Sequence, residues 1–139
     1  MGTRSLTLTD QDKLTLRTAA YGAVTLLSAA GIAGGSPHRM AAEGSIALAL
    51  ATGQVGHVLA DRTGGVYLNG TTVAELADQA LPALTASMSL LRRQAPAEAD
   101  NFRRTVLLAL ETAVRTLKGA PSLTVVDITR KITAALDAA

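Results

Sequence analysis

Residues 9–31 read TDQDKLTLRTAAYGAVTLLSAAG, and this stretch decides the fold class. Thr9 and Asp12 stand at the spacing of a capping box, in which the N-cap hydroxyl and a side chain at the third helical position satisfy each other's backbone amides. Leu14, Ala20, Tyr21, Val24, Leu27 and Gly31 then recur at three- and four-residue intervals. Leu16, Ala19, Ala23, Leu26 and Ala30 form a second stripe beside the first. Beyond Arg17 the helix is apolar nearly all round, which requires burial on several sides. Gly31, Gly34 and Gly35 end it.

Outward from this helix the punctuation stays helical. Ser36-Pro37 reads as an N-cap followed by proline at the first helical position. The second helix carries Met40, Ile46, Leu48, Leu50, Val55, Val58 and Leu59. It reads as one element, with Gly44, Gly53 and Gly56 marking close crossings or a break near Thr52-Gly53. Asp61 to Gly70 is a loop with turn pairs at Gly64-Gly65 and Asn69-Gly70. Thr72-Val73-Ala74-Glu75 is another capping box, and Pro82 in the helix it opens predicts a kink or a division into two. Pro96 restarts the chain, with Glu98 and Asp100 in the first turn where the helix dipole favours acids. Phe102, Val106, Ala109, Leu110, Ala113, Val114 and Leu117 make the cleanest amphipathic stripe, closed by Lys118-Gly119. Ser122 or Thr124 caps a last helix bearing Val125, Ile128, Ile132 and Leu136. The expected fold is all-α, a compact bundle of five to six helices, with 1–8 a flexible N-terminus and 9–139 a single helical domain.

The long helix, the Lys118-Gly119 connector and the closing helix loosely resemble the small helical proteins of the tellurite-resistance TerB-like group. That group's acidic, aspartate-glycine type connector is missing here, so the resemblance carries over no metal or acid-cluster role.

Composition narrows the function classes. A chain of 139 residues fits one domain. Hydrophobic residues make up 48% of it, charged residues 17% and aromatics 2%, which excludes a disordered tail. The absence of cysteine excludes disulfides, thiolate catalysis and cysteine-held metals. With two histidines and few carboxylates, neither a metal nor a cofactor is expected. The net charge of +2 produces only a weak global field. Arg92-Arg93, Arg103-Arg104, Arg115 with Lys118, and Arg130-Lys131 are interspersed with Glu98, Asp100, Glu111 and Asp127, the pattern of a solvated face rather than a nucleic-acid surface. The uncharged run between Thr18 and His38 has the length of a membrane span but is mostly Ala, Gly, Thr and Ser, so no span is expected. Residues 1–10 are polar and lack a leader-type apolar region, which points to the cytoplasm.

Three sets of residues invite a role. Gly34, Gly35, Ser36, His38 and Arg39 lead into a helix N-terminus, where backbone amides and a guanidinium can converge on an anion. Tyr21, Thr52, Gln54 and His57 are the polar groups available to an interhelical pocket. Ala19, Ala23, Leu26, Ala30 and Ala47 are placed to let a second copy approach closely. His38 and His57, read on one helix, lie roughly 28 Å apart at 1.5 Å per residue and share no site. No Gly-x-Ser-x-Gly elbow is present, so the chain is not read as an enzyme. The expected function is a non-catalytic helical interaction domain that self-associates into a homo-oligomer and binds a protein partner. The alternative is a small-molecule or anion-binding protein, and the third reading is an enzyme acting on an anionic substrate through Arg39 and His38.

Overall fold

The computed structural model describes residues 6–31, 37–61, 68–70, 72–117 and 119–139. Among them the chain forms six α-helices and no strand. They are α1 (Asp10–Ala30), α2 (Pro37–Ala49), α3 (Gly53–Ala60), α4 (Val73–Gln94), α5 (Pro96–Val114) and α6 (Leu123–Asp137).

α1 begins where its capping box places it, with the Thr9 hydroxyl accepting from the Asp12 amide at 3.0 Å and the Asp12 carboxylate accepting from the Thr9 amide at 3.0 Å. It is the axis of the bundle and touches each of the other helices. Leu16, Ala19, Ala20, Ala23, Leu26 and Leu27 are completely buried. The all-round apolar pattern is thus satisfied inside one chain. Small residues permit this: a Cβ on Gly22 would lie 3.0 Å from Ala80 Cβ on α4, and one on Gly44 of α2 would lie 2.7 Å from Val24 Cγ1. Phe102, Val106 and Leu110 of α5 and Ile128 and Ile132 of α6 complete the same core. Each large side chain buried there contributes about 1.5–3 kcal/mol, several times what one methylene adds. Among the described residues no helix is long and apolar enough to cross a membrane.

Four local features sharpen the sequence reading. The break that the sequence allowed near Thr52-Gly53 is present: residues 37–60 form two helices, because Gly53 adopts φ +78° and interrupts the run. α3 then folds back so tightly that a Cβ on Gly56 would sit 2.2 Å from the Ala51 carbonyl oxygen. In contrast, α4 runs unbroken through Pro82. Pro82 and Asp78, whose carbonyl loses its amide partner, are both exposed, so water meets the orphaned group. The stripe from Leu76 and Ala80 to Leu84, Met88 and Leu91 stays buried on both sides of the proline and outweighs its local cost of about 3 kcal/mol. α5 ends at Val114, ahead of Lys118-Gly119, and tightens into a 3₁₀-type turn in which the Thr116 and Leu117 amides donate three residues back at 3.1 and 3.0 Å.

The fourth is at the start, where Leu6 and Thr7, in the segment expected to be flexible, hydrogen-bond to two glutamines. The Leu6 amide donates to Gln54 Oε1 at 2.6 Å and the Thr7 amide to Gln94 Oε1 at 2.7 Å. Gln94 Nε2 donates back to the Thr7 carbonyl at 2.9 Å, so one side-chain amide imitates a strand neighbour. Leu6 and Leu8 pack on the core.

Candidate functional site

α2 and α5 lie antiparallel. Gly44 of α2 sits over the Ala109 carbonyl, and the Thr52 carbonyl beyond its other end accepts from Asn101 Nδ2 at 2.9 Å. Between them runs an open groove of about 490 Å³. Its residues come from the helix faces left over once Met40, Gly44 and Leu48, and Phe102, Val106 and Ala109, turn inward. Ile46 is 53% exposed, Leu50 74% and Leu108 52%. Ala47 and Ala51 line it with them, together with the charged Glu43 and Arg104 and the polar Thr52, Asn101, Thr105 and Thr112. A contiguous apolar strip of this kind, rimmed by polar groups, is what an interaction surface looks like.

A buried polar latch holds this groove in shape. Glu98, 7% exposed, accepts the Val55 amide on Oε1 at 3.0 Å. It therefore caps α3 from another helix, since Thr52 provides no side-chain cap of its own. Asn101 links the two, donating to Thr52 and, at 3.5 Å, to Glu98. Gly53 lies against both: a Cβ there would be 3.0 Å from Asn101 Nδ2 and 3.1 Å from Glu98 Oε2. An acid in a first turn reads from sequence as a partner of its own helix dipole. Nothing local marks Glu98 as the cap of another helix.

A second depression, about 830 Å³, lies beside the N-terminal segment and is lined by Leu6, Leu8, Lys13, Gln54, His57, Val58 and Asp61. Of the four residues expected in one pocket, it collects Gln54 and His57. Tyr21 is drawn away, its hydroxyl donating to the Leu59 carbonyl at 2.7 Å. Thr52 lines the α2–α5 groove instead. The two histidines are on separate helices, and exposed His38 and Arg39 line neither depression. Gly34, Gly35 and Ser36 of the expected anion site lie outside the described residues.

The residues expected at a contact between copies lie mostly inside the monomer. Ala19, Ala23 and Leu26 are completely buried and Ala30 is 7% exposed, all within the monomer. Ala47 alone of the five lies on an accessible groove. The reason is the central position of α1: the large apolar side chains left exposed are on the outer helices, Ile46 on α2 with Leu50 just past its end, Leu108 on α5, and Leu123 and Val126 on α6.

Elsewhere, on α5 and α6, charges of both signs pair with one another. Arg103 pairs with Asp137 at 2.8 Å, Arg115 with Glu111 at 2.5 Å, and Asp127 with Arg130 and, at 3.2 Å, Lys131. Hydrogen bonding from the Arg103 guanidinium holds the Asp137 carboxyl below its ordinary value, and the same contact raises Arg103. Lys131 and Arg130 lower Asp127 likewise. Among the described residues, no three histidine or carboxylate side chains cluster as a metal would need. No known protein family, curated protein or solved structure matches this chain.

Proposed function

We propose that this chain is a non-catalytic helical interaction domain that docks protein through the α2–α5 groove. The observation that carries the reading is the strip of Ile46, Leu50 and Leu108, three large apolar side chains left more than half exposed along one groove. The bonds from Asn101 to the Thr52 carbonyl and from the Val55 amide to Glu98 support it, because they tie the α2–α3 turn to α5 and so lower the ordering cost of docking. A benzophenone side chain placed at Leu108 tests it. Protein adducts are expected from position 108, lost when Leu50→Arg is added, and none from the same group at Asp78 on α4. Adducts that ignore Leu50→Arg, or that form equally from position 78, refute it.

A second reading, binding of a small anionic molecule, is favoured by one observation. Lys13 and His57 line the same depression beside the apolar Leu6, Leu8 and Val58. Native mass spectrometry of the purified chain is the test: a retained small molecule, lost on Lys13→Ala with His57→Ala, supports it, and a bare chain mass counts against it.

A further inference from the structure

We infer that Asn69 is a site of self-modification, at which the side-chain amide is lost as ammonia and the residue becomes aspartate or isoaspartate. The inference is independent of the α2–α5 groove.

The chemistry needs a carboxamide carbon within reach of the next residue's backbone nitrogen, no side chain on that residue to obstruct the attack, and a nitrogen able to give up its proton. Residues 69 and 70 read Asn-Gly, and both are exposed just ahead of α4. Gly70 adopts φ +94°, and a Cβ there would lie 2.7 Å from Glu75 Oε2. Backbone conformation and space therefore both require glycine after this asparagine. Among the described residues the Gly70 amide donates to no acceptor. The Asn69 amide donates to Gln79 Oε1 at 2.6 Å, and Gln79 Nε2 donates to the Asn69 carbonyl. That carbonyl oxygen takes the negative charge when the Gly70 nitrogen loses its proton, and a donor already aimed at it favours the anion.

In the first step the deprotonated Gly70 nitrogen attacks Asn69 Cγ. The N–Cγ bond forms, the Cγ–Nδ2 bond breaks, and the amide leaves as ammonia with a proton from solvent, closing a five-membered succinimide. Water then opens the ring at one of its two carbonyls. Breaking the new N–Cγ bond gives aspartate, and breaking the original peptide bond gives isoaspartate; no atom is oxidised or reduced. Either product adds one negative charge to a chain whose formal net charge is +2. Isoaspartate also adds a carbon to the main chain between the two groups that Gln79 clasps, and so pulls that clasp apart.

Asn101 is the internal contrast, as the chain's other asparagine. It stands inside α5 ahead of the completely buried Phe102, whose amide belongs to the helical ladder, and its Nδ2 donates to the Thr52 carbonyl at 2.9 Å.

Timed incubation of the purified full chain at physiological temperature, read by ion exchange and peptide mass mapping, tests this beside the free peptide VYLNGTT of residues 66–72. A more acidic species is expected, with aspartate and isoaspartate both at position 69. Its rate should lie within about tenfold of the peptide's and rise with pH as the amide nitrogen deprotonates more readily. Position 101 should remain asparagine. Asn69→Gln is expected to slow the conversion about tenfold or more, because the longer side chain must close a six-membered ring. A wild-type rate more than about tenfold below the peptide's, or equal conversion at position 101, overturns the assignment. No slowing in Asn69→Gln overturns the succinimide route.

Discussion

Glu98→Ala is the sharpest test of how the groove is held. The substitution removes the acceptor of the Val55 amide, a bond of 3.0 Å in a buried setting, and leaves Asn101 with the Thr52 carbonyl alone. A buried donor left unsatisfied costs about 1–3 kcal/mol. Loss of an N-terminal cap costs about 0.5–2 kcal/mol, and here no cap on α3 itself takes over. The two figures describe one amide and do not add, so the expected loss is about 2 kcal/mol. For a chain of this length that lowers the melting temperature by about 8 °C. Glu98→Gln keeps a carbonyl oxygen at the same place and is expected to lose less than about 1 kcal/mol. Urea unfolding measures the global cost, and amide hydrogen exchange gives its location. The amides of Val55 to Ala60 should exchange faster in Glu98→Ala while those of Leu84 to Leu91 change only with global stability. A loss below about 0.5 kcal/mol, or equal losses for alanine and glutamine, would refute the capping role.

Three further outcomes follow from the same geometry. Pro82→Ala restores an amide to an exposed, continuous helix and is expected to stabilise the chain by about 1–3 kcal/mol in urea melts; destabilisation would mean that a proline-shaped bend is packed into the α1–α4 contact. Gly53→Ala forces a side chain into φ +78° and against Glu98 and Asn101, and should cost at least about 1–2 kcal/mol, with a neutral result excluding the tight α2–α3 break. The Asp137 carboxyl titrates below its ordinary value of 3.8 in the folded chain, so its contribution is present above that value and is lost as pH falls through the lowered one. Arg103→Ala should therefore reduce the fall in stability between about pH 5 and pH 2, and an unchanged acid limb would dismiss the pair as energetically silent.

Helix starts were legible because their causes are local. Thr9, Thr72 and Ser122 each cap a helix by bonding an amide three residues ahead, and such contacts close without reference to any other part of the chain. The buried stripes of α5 and α6 were legible for the same reason, since 3.6-residue periodicity is a property of a single helix. Which of two apolar helices becomes the axis was not local. The stretch from Thr18 to Ala60 holds more apolar surface than one element can hide, and only the packing of α4, α5 and α6 around α1 left Ile46 and Leu50 outside. That enclosure moved the accessible surface from Ala19, Ala23, Leu26 and Ala30 to the α2–α5 groove. Pro82 shows the same limit from another side: a local rule predicts a kink or a division into two, and the helix stays undivided because one face is buried both before and after the proline. Glu98 shows it most plainly, because its partner Val55 is distant in sequence and only the return of α3 onto α5 brings that amide to the carboxylate. Caps and stripes are decided by neighbours along the chain, whereas enclosure, latches and leftover surface are decided by neighbours in space.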